Sequence, residues 1–192
     1  MKTVYLMRHG ETLFNKQKKI QGWCDSPLTE LGKKQALIAR DYFIRNGIEL
    51  DSAYASTLER ACDTLELVTD LTYSRIKGLK EWNFGDLEAE HEYLNPPLPY
   101  GDFFKDFGGE GEQEFQERIA QTILKLTQAD TGKNILMVSH GAVCGQFVKR
   151  WAHTSRVERT EKIANCCIFK FVFENDQFEL LEIINHDFTF IK

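Results

Sequence analysis

The sequence predicts an α/β fold, a three-layer sandwich with a mostly parallel central sheet, helices on both faces and a small cap segment over the site. Short apolar runs of strand type alternate with longer helical patterns, and this order favours a parallel sheet covered by helices. The 192 residues, 42% of them hydrophobic, are enough for one sizeable core. We therefore expect a single domain over residues 1–192.

Each element has its own local signal. Thr29 fits the N-cap of a helix that then carries Ala36, Leu37 and Tyr42. Near the C-terminus, apolar residues alternate on both sides of a polar turn at residues 174–177, which indicates a hairpin able to add an antiparallel edge. The expected strands lie near 2–7, 51–55, 134–139, 165–173 and 178–184, and the expected helices near 30–46, 57–70, 112–129 and 142–153.

Residues 86–111 have neither a helical nor a strand period. The segment is rich in proline and aromatic residues, and loops this long are often lids or binding elements. We expect a cap insertion at about 86–111. The alternative is a loop whose aromatic residues only patch the core.

Two histidines follow apolar runs of strand type. Arg8 and His9 come after residues 4–7, and His140 comes after residues 135–138. The carboxyl ends of strands face the ligand crevice of an open α/β sheet, so one fold can bring both imidazoles to one point. An arginine fork suits phosphate oxygens, and a neutral imidazole is a nucleophile that can hold a phosphoryl group. Together these residues predict phosphoryl transfer.

The motif Arg-His-Gly-Glu-Thr at residues 8–12 resembles the signature of the histidine phosphatase superfamily, which includes the cofactor-dependent phosphoglycerate mutases. Similar stretches recur in the family's order at residues 21–32, 56–64, 79–85 and 139–141. One departure is Ala89, where many relatives carry glycine. By this resemblance the catalytic residues are His9, Glu81 and His140, and the phosphate-binding residues are Arg8, Asn15, Gln21, Gly22 and Arg60.

The resemblance also implies a mechanism. His9 would attack phosphorus and become phosphohistidine, while Glu81 would protonate the leaving alkoxide and later take a proton from water. Arg8, Arg60 and a protonated His140 would stabilise the charge on the phosphoryl oxygens, with Asn15 as a neutral donor. These cations would do the work of a metal ion, so neither a metal nor a cofactor is expected.

The charge of the cap helps to separate the candidate reactions. A phosphoglycerate mutase must grip a highly anionic substrate, and the mutases that this chain resembles carry an arginine-rich stretch in the corresponding insertion. Between residues 86 and 117 acidic residues recur, and Lys105 is the only lysine or arginine. We therefore expect a phosphomonoesterase acting on a small phosphorylated metabolite, with an uncharged or apolar remainder favoured.

Three other functions stay open. A mutase would need Arg156, Arg159 or Lys162 to fold over the mouth of the site. A protein phosphatase would be expected to leave its pocket open, which the long cap opposes. A non-catalytic phospho-ligand binder would more readily have lost His9 or Glu81, and both are present.

Charge and cysteine content limit the partners. A net charge of −5 argues against nucleic acid as the main partner, and no apolar run is long enough for a membrane helix. No signal-peptide pattern is seen, so a cytoplasmic enzyme is expected. The five cysteines lack paired spacing and are expected to be free thiols, with Cys24 not catalytic. The basic stretches at 16–19 and 149–162 are expected to be solvated surfaces, and the oligomeric state is left open.

Overall fold

A six-stranded sheet forms the centre of the computed structural model, which describes residues 1–158 and 160–191. The strands are β1 Lys2–Arg8, β2 Ser52–Ser56, β3 Tyr73–Ile76, β4 Asn134–Ser139, β5 Ile168–Glu174 and β6 Gln177–Ile184. They lie in the order β3-β2-β4-β1-β5-β6.

The sheet is mostly parallel, as the sequence predicts. β1, β2, β3 and β4 pair in parallel, whereas β5 and β6 form an antiparallel hairpin beside β1. In the register of β1 with β4, Arg8 lies opposite Ser139, so the two strands end together. His9 and His140 therefore leave the sheet at the same edge.

Helices cover both faces of the sheet and make the predicted three layers. They are α1 Leu13–Gln17, α2 Glu30–Arg45, α3 Glu59–Val68, α4 Glu112–Ala129 and α5 Gly141–Arg150. In β1, Val4 and Leu6 join the apolar cluster of α4 and α5, while Tyr5 and Met7 face the cluster of α2 and α3. None of the helices in the described part of the chain combines the length and apolar character of a membrane span.

The segment between Glu81 and α4 contains only short 3-10 turns. Phe104 is fully buried, with its ring 4.7 Å from Phe84 and 6.0 Å from Trp82 between centroids. Tyr93 and Leu98, by contrast, are 80% and 75% exposed. The segment thus patches the core at one end and is solvated along its middle.

Most element boundaries agree with the predicted ones, and the Thr29 side chain does cap α2 by accepting the Gly32 N–H at 3.0 Å. The short elements β3 and α1 were not expected, because four or five residues carry too little periodicity. β5 begins at Ile168 and not at 165, since Cys166 has a φ of +56°, which interrupts extended backbone.

Candidate active site

Three neighbouring strands bring the predicted charged residues to one place. Arg8 ends β1, His140 follows β4, and Arg60 lies in the first turn of α3 after β2. The rings of His9 and His140 are 5.3 Å apart between centroids. Arg60 and His140 are 0% exposed and His9 is 4% exposed. The prediction that one fold brings the two imidazoles together is confirmed.

Gly10 makes the turn after His9 possible. A Cβ at Gly10 would lie 2.5 Å from the carbonyl oxygen of Gly32, too close for any other side chain. The Gly10 N–H also donates to the Thr64 hydroxyl at 3.0 Å, and that hydroxyl donates to the Arg60 carbonyl at 2.7 Å. The motif glycine therefore packs the His9 loop against α2 and links it to α3.

The tautomer of His9 follows from its two partners. Its Nδ1 lies 2.7 Å from the Gly10 carbonyl oxygen, which can only accept. Its Nε2 lies 3.3 Å from Arg60 Nε, which can only donate. Nδ1 therefore carries the proton, and Nε2 is the unprotonated nitrogen, whose lone pair accepts from Arg60. Burial, followed by the charges of Arg60 and Arg8, lowers the pKa of His9 well below its ordinary value, which favours the neutral nucleophilic form.

Arg60 is held by the loop that follows α1. Its Nη1 donates to the Cys24 carbonyl at 2.8 Å and to the Asp25 carboxylate at 2.9 Å. Its Nη2 donates to the carbonyl of Gly22 at 2.7 Å and, more weakly, to that of Gln21 at 3.5 Å. These bonds to the loop fix the guanidinium in position. Helix α3 itself has no side-chain cap at its N-terminus. Asp25 was not singled out from the sequence, although it lies in the matched loop.

A single carboxylate organises the same loop from the other side. Glu88 accepts the N–H groups of Gly22, Trp23 and Cys24 at 2.9, 2.7 and 3.1 Å, and that of Phe84 at 3.1 Å. From the sequence, Glu88 is one of the acidic residues between 86 and 117 that are expected at the mouth of the site. Its four backbone bonds instead make it the brace of the loop that holds Arg60.

Glu81 lies at the N-terminus of α5. Its Oε2 accepts the Ala142 N–H at 2.9 Å and its Oε1 accepts the Trp82 N–H at 3.0 Å. Burial raises the pKa of Glu81, and the two backbone bonds and the charges of Arg60 and Arg8 only partly oppose that effect. A raised pKa extends the pH range in which a carboxyl group holds a proton that it can donate.

Two predicted residues present atoms without a protein partner. Neither ring nitrogen of His140, nor the Nε of Arg8, has a hydrogen-bond partner among the described residues, although all three atoms are buried. Arg8 also donates from Nη1 to the Ile163 carbonyl at 2.6 Å. Burial and the nearby Arg60, His9 and Arg8 lower the pKa of His140 well below its ordinary value. Without a substrate, burial and these charges therefore favour the neutral ring, whereas the sequence-based expectation of a protonated His140 concerns the phosphate-bound site and stays a prediction.

The side-chain amides of Asn15 and Gln21 differ in which of their groups already have hydrogen-bond partners in the protein. The Asn15 oxygen accepts from the Thr12 N–H at 3.2 Å and from Asn165 Nδ2 at 3.1 Å, so its own Nδ2 is left for a ligand. The Gln21 amide bonds to Thr12 through its oxygen at 2.7 Å and to Ser26 through its nitrogen at 3.0 Å. Asn165, which also donates to the His9 carbonyl at 3.1 Å, carries no local sequence signal.

A cavity of about 140 Å³ is lined by Arg8, His9, Asn15, Gln21 and Glu81 among others. Arg60 and His140 are not among the residues that line it. Lys19, Glu92 and Asn95 line it as well, and none of the three was predicted. Lys19 is half-buried, which corrects the expectation of a solvated surface at that residue. Asn95 Oδ1 is buried and has no partner among the described residues, so it offers an acceptor to a ligand.

The acidic mouth expected from the cap is smaller than its composition suggested. Among the described residues of the 86–111 segment, Glu92 is the acidic one that lines the cavity beside His9. Other acids of the segment are paired: Glu110 with Arg118 at 2.7 Å, Glu112 with Lys149 at 3.1 Å and Glu114 with Lys105 at 3.1 Å.

The basic region after α5 is divided in the same way. Arg156 is paired with Glu179 on β6, and Arg159 lies outside the described residues. Lys149 and Lys162 line a second cavity next to the catalytic one. Three residues were proposed from the sequence to cover a mutase site. Of these, Lys162 is the described residue that has no ion-pair partner.

The cysteines are free thiols, as expected. Burial and the Glu88 carboxylate raise the pKa of the Cys24 thiol to about 12, which opposes the thiolate that a catalytic cysteine needs. Among residues 1–158 and 160–191, no cluster of histidine, cysteine and carboxylate side chains could hold a metal ion.

Comparison with known families decides the affiliation. The model of the histidine phosphatase superfamily (branch 1) matches residues 4–186. The chain belongs to the histidine phosphatase superfamily. Members of this superfamily are catalytic phosphatases or mutases, and the fold described above is theirs.

Individual relatives carry both kinds of name. A protein of Salmonella paratyphi A named "Probable phosphoglycerate mutase GpmB" is 31% identical over 92% of this chain and 87% of its own length. Phosphoserine phosphatase from Entamoeba histolytica, solved with 3-phosphoglyceric acid, has a TM-score of 0.79 and 30% identity over 97% of this chain and 98% of its own. Alpha-ribazole phosphatase from Shigella flexneri has a TM-score of 0.75 and 28% identity, covering 96% of each chain.

Proposed function

We propose that this protein is a phosphomonoesterase that hydrolyses a small phosphorylated metabolite through a phosphohistidine on His9. The observation that carries the proposal is the fixed tautomer of His9, which leaves Nε2 unprotonated on a residue that lines the same cavity as Glu81, a carboxyl group with a raised pKa. A nucleophile and a proton donor are the two groups that the first half-reaction requires.

In the first step His9 Nε2 forms a bond to phosphorus as the bond from phosphorus to the ester oxygen breaks. Glu81 gives its proton to the departing oxygen and becomes a carboxylate. Arg8 Nε, which has no protein partner among the described residues, and Asn15 Nδ2 donate to the phosphoryl oxygens. Arg60 adds its positive charge from beside His9, since its N–H groups already donate to protein acceptors.

His140 responds to the substrate. A phosphoryl dianion next to its unpaired ring nitrogens opposes the effect of burial and raises the pKa of the imidazole. His140 therefore takes up a proton as the dianion binds, and then donates a hydrogen bond to a phosphoryl oxygen. His140 thus becomes positively charged only when the substrate binds, so the pocket without substrate does not have to bury a charged imidazole.

In the second step a water molecule attacks phosphorus and the bond to His9 breaks. The Glu81 carboxylate takes the proton from that water, which restores the acid for the next cycle. Inorganic phosphate then leaves, and His9 returns to its neutral form.

Gln21 and Gly22 act through Arg60 in this proposal. Their carbonyl oxygens accept from Arg60 Nη2, and the Gly22 N–H is taken by Glu88. We therefore assign them to positioning the arginine and not to direct phosphate contact, which replaces the expectation from the sequence.

Hydrolysis is favoured over mutase chemistry by the charges near the cavity. A mutase must retain a substrate with further anionic groups, and this requires additional cations at the mouth. Arg156 and Lys149 are paired with Glu179 and Glu112, and the carboxylate of Glu92 lines the catalytic cavity beside Lys19.

The test is rapid quench with a phosphorus-labelled monoester. Label should appear on His9 in an acid-labile, base-stable form, and inorganic phosphate should follow. His9→Ala should lose label and at least about 10³-fold in turnover, whereas the exposed-histidine control His153→Ala should keep both. Label on another residue would refute the nucleophile, and interconversion of 3- and 2-phosphoglycerate without phosphate release would show a mutase.

A further inference from the structure

A second cavity, of about 780 Å³, adjoins the catalytic one and shares Gly141 with it. Trp82 and Ala142 line the second cavity, and their N–H groups are the two that bond to the Glu81 carboxyl. Ile163 lines it too, and its carbonyl accepts from Arg8. The groove, as we name this second cavity, therefore begins where the proposed general acid lies.

The walls of the groove are mostly apolar. The apolar residues that line it include Leu98 and Tyr100 of the cap, Val148 of α5, and Val157 and Ile163. The charged side chains among its lining residues are those of Glu112, Lys149, Glu158 and Lys162. Tyr100 is half-buried and its ring packs against Trp82 at 5.5 Å between centroids. Such a cavity, mostly apolar with a few polar groups and several hundred Å³ in volume, is typical of a small-molecule site.

Gly145, which has no side chain, leaves space in the groove beside α5. It lies in the interior of α5 and is absent from the residues with positive φ, so the backbone does not require glycine there. Glycine at such a position costs about 1 kcal/mol relative to alanine. A Cβ at Gly145 would meet one neighbour among the described residues, the flexible end of Ile163 at 3.3 Å. The missing side chain thus leaves space on the groove side of the helix.

We propose that the groove is the subsite for the leaving group, and that the substrate is the monophosphate of a bulky, largely apolar, ring-bearing alcohol. This inference rests on the proposed phosphatase function. The general acid must touch the ester oxygen, so the rest of the alcohol extends from Glu81, and the groove is the apolar space that starts there. The catalytic cavity of about 140 Å³ leaves little room for such a group beside the phosphate.

The test compares two primary alkyl phosphates, 2-(1-naphthyl)ethyl phosphate and ethyl phosphate, whose alcohols have similar acidity, so that their main difference is bulk. O-phosphoserine is added as a small ester with a charged leaving group. Each buried methylene is worth about fourfold, so kcat/KM should be about 100-fold or more higher for the naphthylethyl ester than for ethyl phosphate. O-phosphoserine should resemble ethyl phosphate.

Gly145→Leu should fill the groove and lower the naphthylethyl-to-ethyl ratio of kcat/KM at least about tenfold, with Gly145→Ala giving a smaller decrease. Arg150→Leu adds the same side chain to an exposed position of α5 outside the groove and should leave that ratio unchanged. Thermal unfolding of each variant separates this effect from loss of fold.

The outcomes distinguish the two proposals. Equal kcat/KM for the naphthylethyl and ethyl esters, or a preference for O-phosphoserine, would overturn the leaving-group assignment while His9-dependent phosphate release still supports the phosphatase. A Gly145→Leu ratio equal to that of wild type would overturn it as well. Absence of His9-dependent release from every ester would overturn the phosphatase itself, and the groove assignment with it.

Discussion

The phosphate end and the groove end of this site are built in different ways. At the phosphate end, His9, Arg60 and Glu81 are buried and each makes at least two hydrogen bonds, mostly to backbone groups. Around the groove, Leu98 of the cap is 75% exposed, and Lys162 has no ion-pair partner among the described residues. Backbone partners hold the reacting groups, whereas surface segments shape the space for the alcohol.

This difference separates catalysis from substrate choice. Electrostatic stabilisation of a transition state requires groups that do not reorganise during the reaction, and contacts to strand ends and helix termini provide that rigidity. Loops on a rigid scaffold can vary without disturbing those contacts, and recognition residues are often found there. A superfamily with both phosphatases and mutases is consistent with such a division.

The pKa shifts support the same division. Burial moves the pKa of Glu81 up and those of His9 and His140 down, so all three groups are driven toward their neutral forms. The arginines Arg8 and Arg60 carry the positive charge of the pocket. These directions favour the neutral imidazole and the protonated carboxyl that the proposed mechanism requires of His9 and Glu81.

The largest difference between the two ends is expected for Glu81→Gln at the phosphate end. If Glu81 is the general acid, phosphoenzyme formation from an alkyl phosphate should slow by about 10²- to 10⁴-fold, because the alkoxide then leaves unprotonated. The nitrophenolate of p-nitrophenyl phosphate leaves without a proton, so its rate should change much less. Single-turnover measurement isolates this step from water activation, in which Glu81 also acts.

In the same experiment, the rate of phosphoenzyme formation from the alkyl phosphate should fall at alkaline pH. A raised pKa keeps Glu81 protonated above the range of an ordinary carboxyl, so the alkyl phosphate rate should fall only as pH rises through that raised value. Glu81→Gln should lose this alkaline limb. Equal slowing of both substrates by the substitution would show that Glu81 only shapes the pocket.

A smaller effect is expected at the boundary between the two ends, where Glu88 of the cap braces the loop that holds Arg60. In Glu88→Gln the amide nitrogen faces N–H donors, so at least one of the four backbone groups loses its acceptor. The free energy of unfolding should fall by about 1–3 kcal/mol, measured by urea denaturation.

Glu90→Gln is the matched control, because Glu90 is exposed two residues further along and should change stability by less than about 0.5 kcal/mol. kcat/KM should fall for small and bulky esters alike in Glu88→Gln, since the loop carbonyls position Arg60. A fall confined to the bulky esters would instead place Glu88 on the groove side of the boundary.

The sequence could predict the meeting of His9 and His140 because it depends on two strands of a parallel sheet ending together. It could not predict the bonds that give His9 its tautomer or Asn165 its place. Asn165 contacts the His9 carbonyl across 156 residues of sequence, and its neighbours carry no periodic signal for that contact. Long-range polar contacts of this kind arise from the packed fold and not from local pattern.

The charge of the cap shows the same limit. The acidic composition between residues 86 and 117 predicted a mouth that repels anions, yet Glu110 is paired with Arg118 and Glu88 binds backbone N–H groups. Ion pairs to distant segments and backbone bonds change what a run of like charges presents to a ligand. Composition therefore predicted the sign of the segment but not which carboxylates reach the site.

The smallest expected effect concerns Ala89, the departure from the family's glycine at the start of the cap. Its φ of +68° lies in the left-handed region, which costs a residue with a Cβ about 1 kcal/mol or more. Ala89 is kept there by backbone bonds, since its N–H donates to the Ile20 carbonyl at 2.9 Å, next to the loop that holds Arg60. The structure thus shows strain where the sequence showed only a substitution.

Ala89→Gly should remove that strain, while the greater freedom of glycine in the unfolded chain takes back about 0.4–1 kcal/mol. We expect a net gain in the free energy of unfolding of up to about 1 kcal/mol, with no change in kcat/KM for p-nitrophenyl phosphate. The control is Ala120→Gly in the interior of α4, which should lose about 1 kcal/mol, because there alanine is the better residue. Urea denaturation of both variants measures the two signs side by side. If Ala89→Gly lowers the free energy of unfolding as much as Ala120→Gly does, the backbone of Ala89 is unstrained. The boundary between the rigid pocket and the cap would then have to be placed elsewhere.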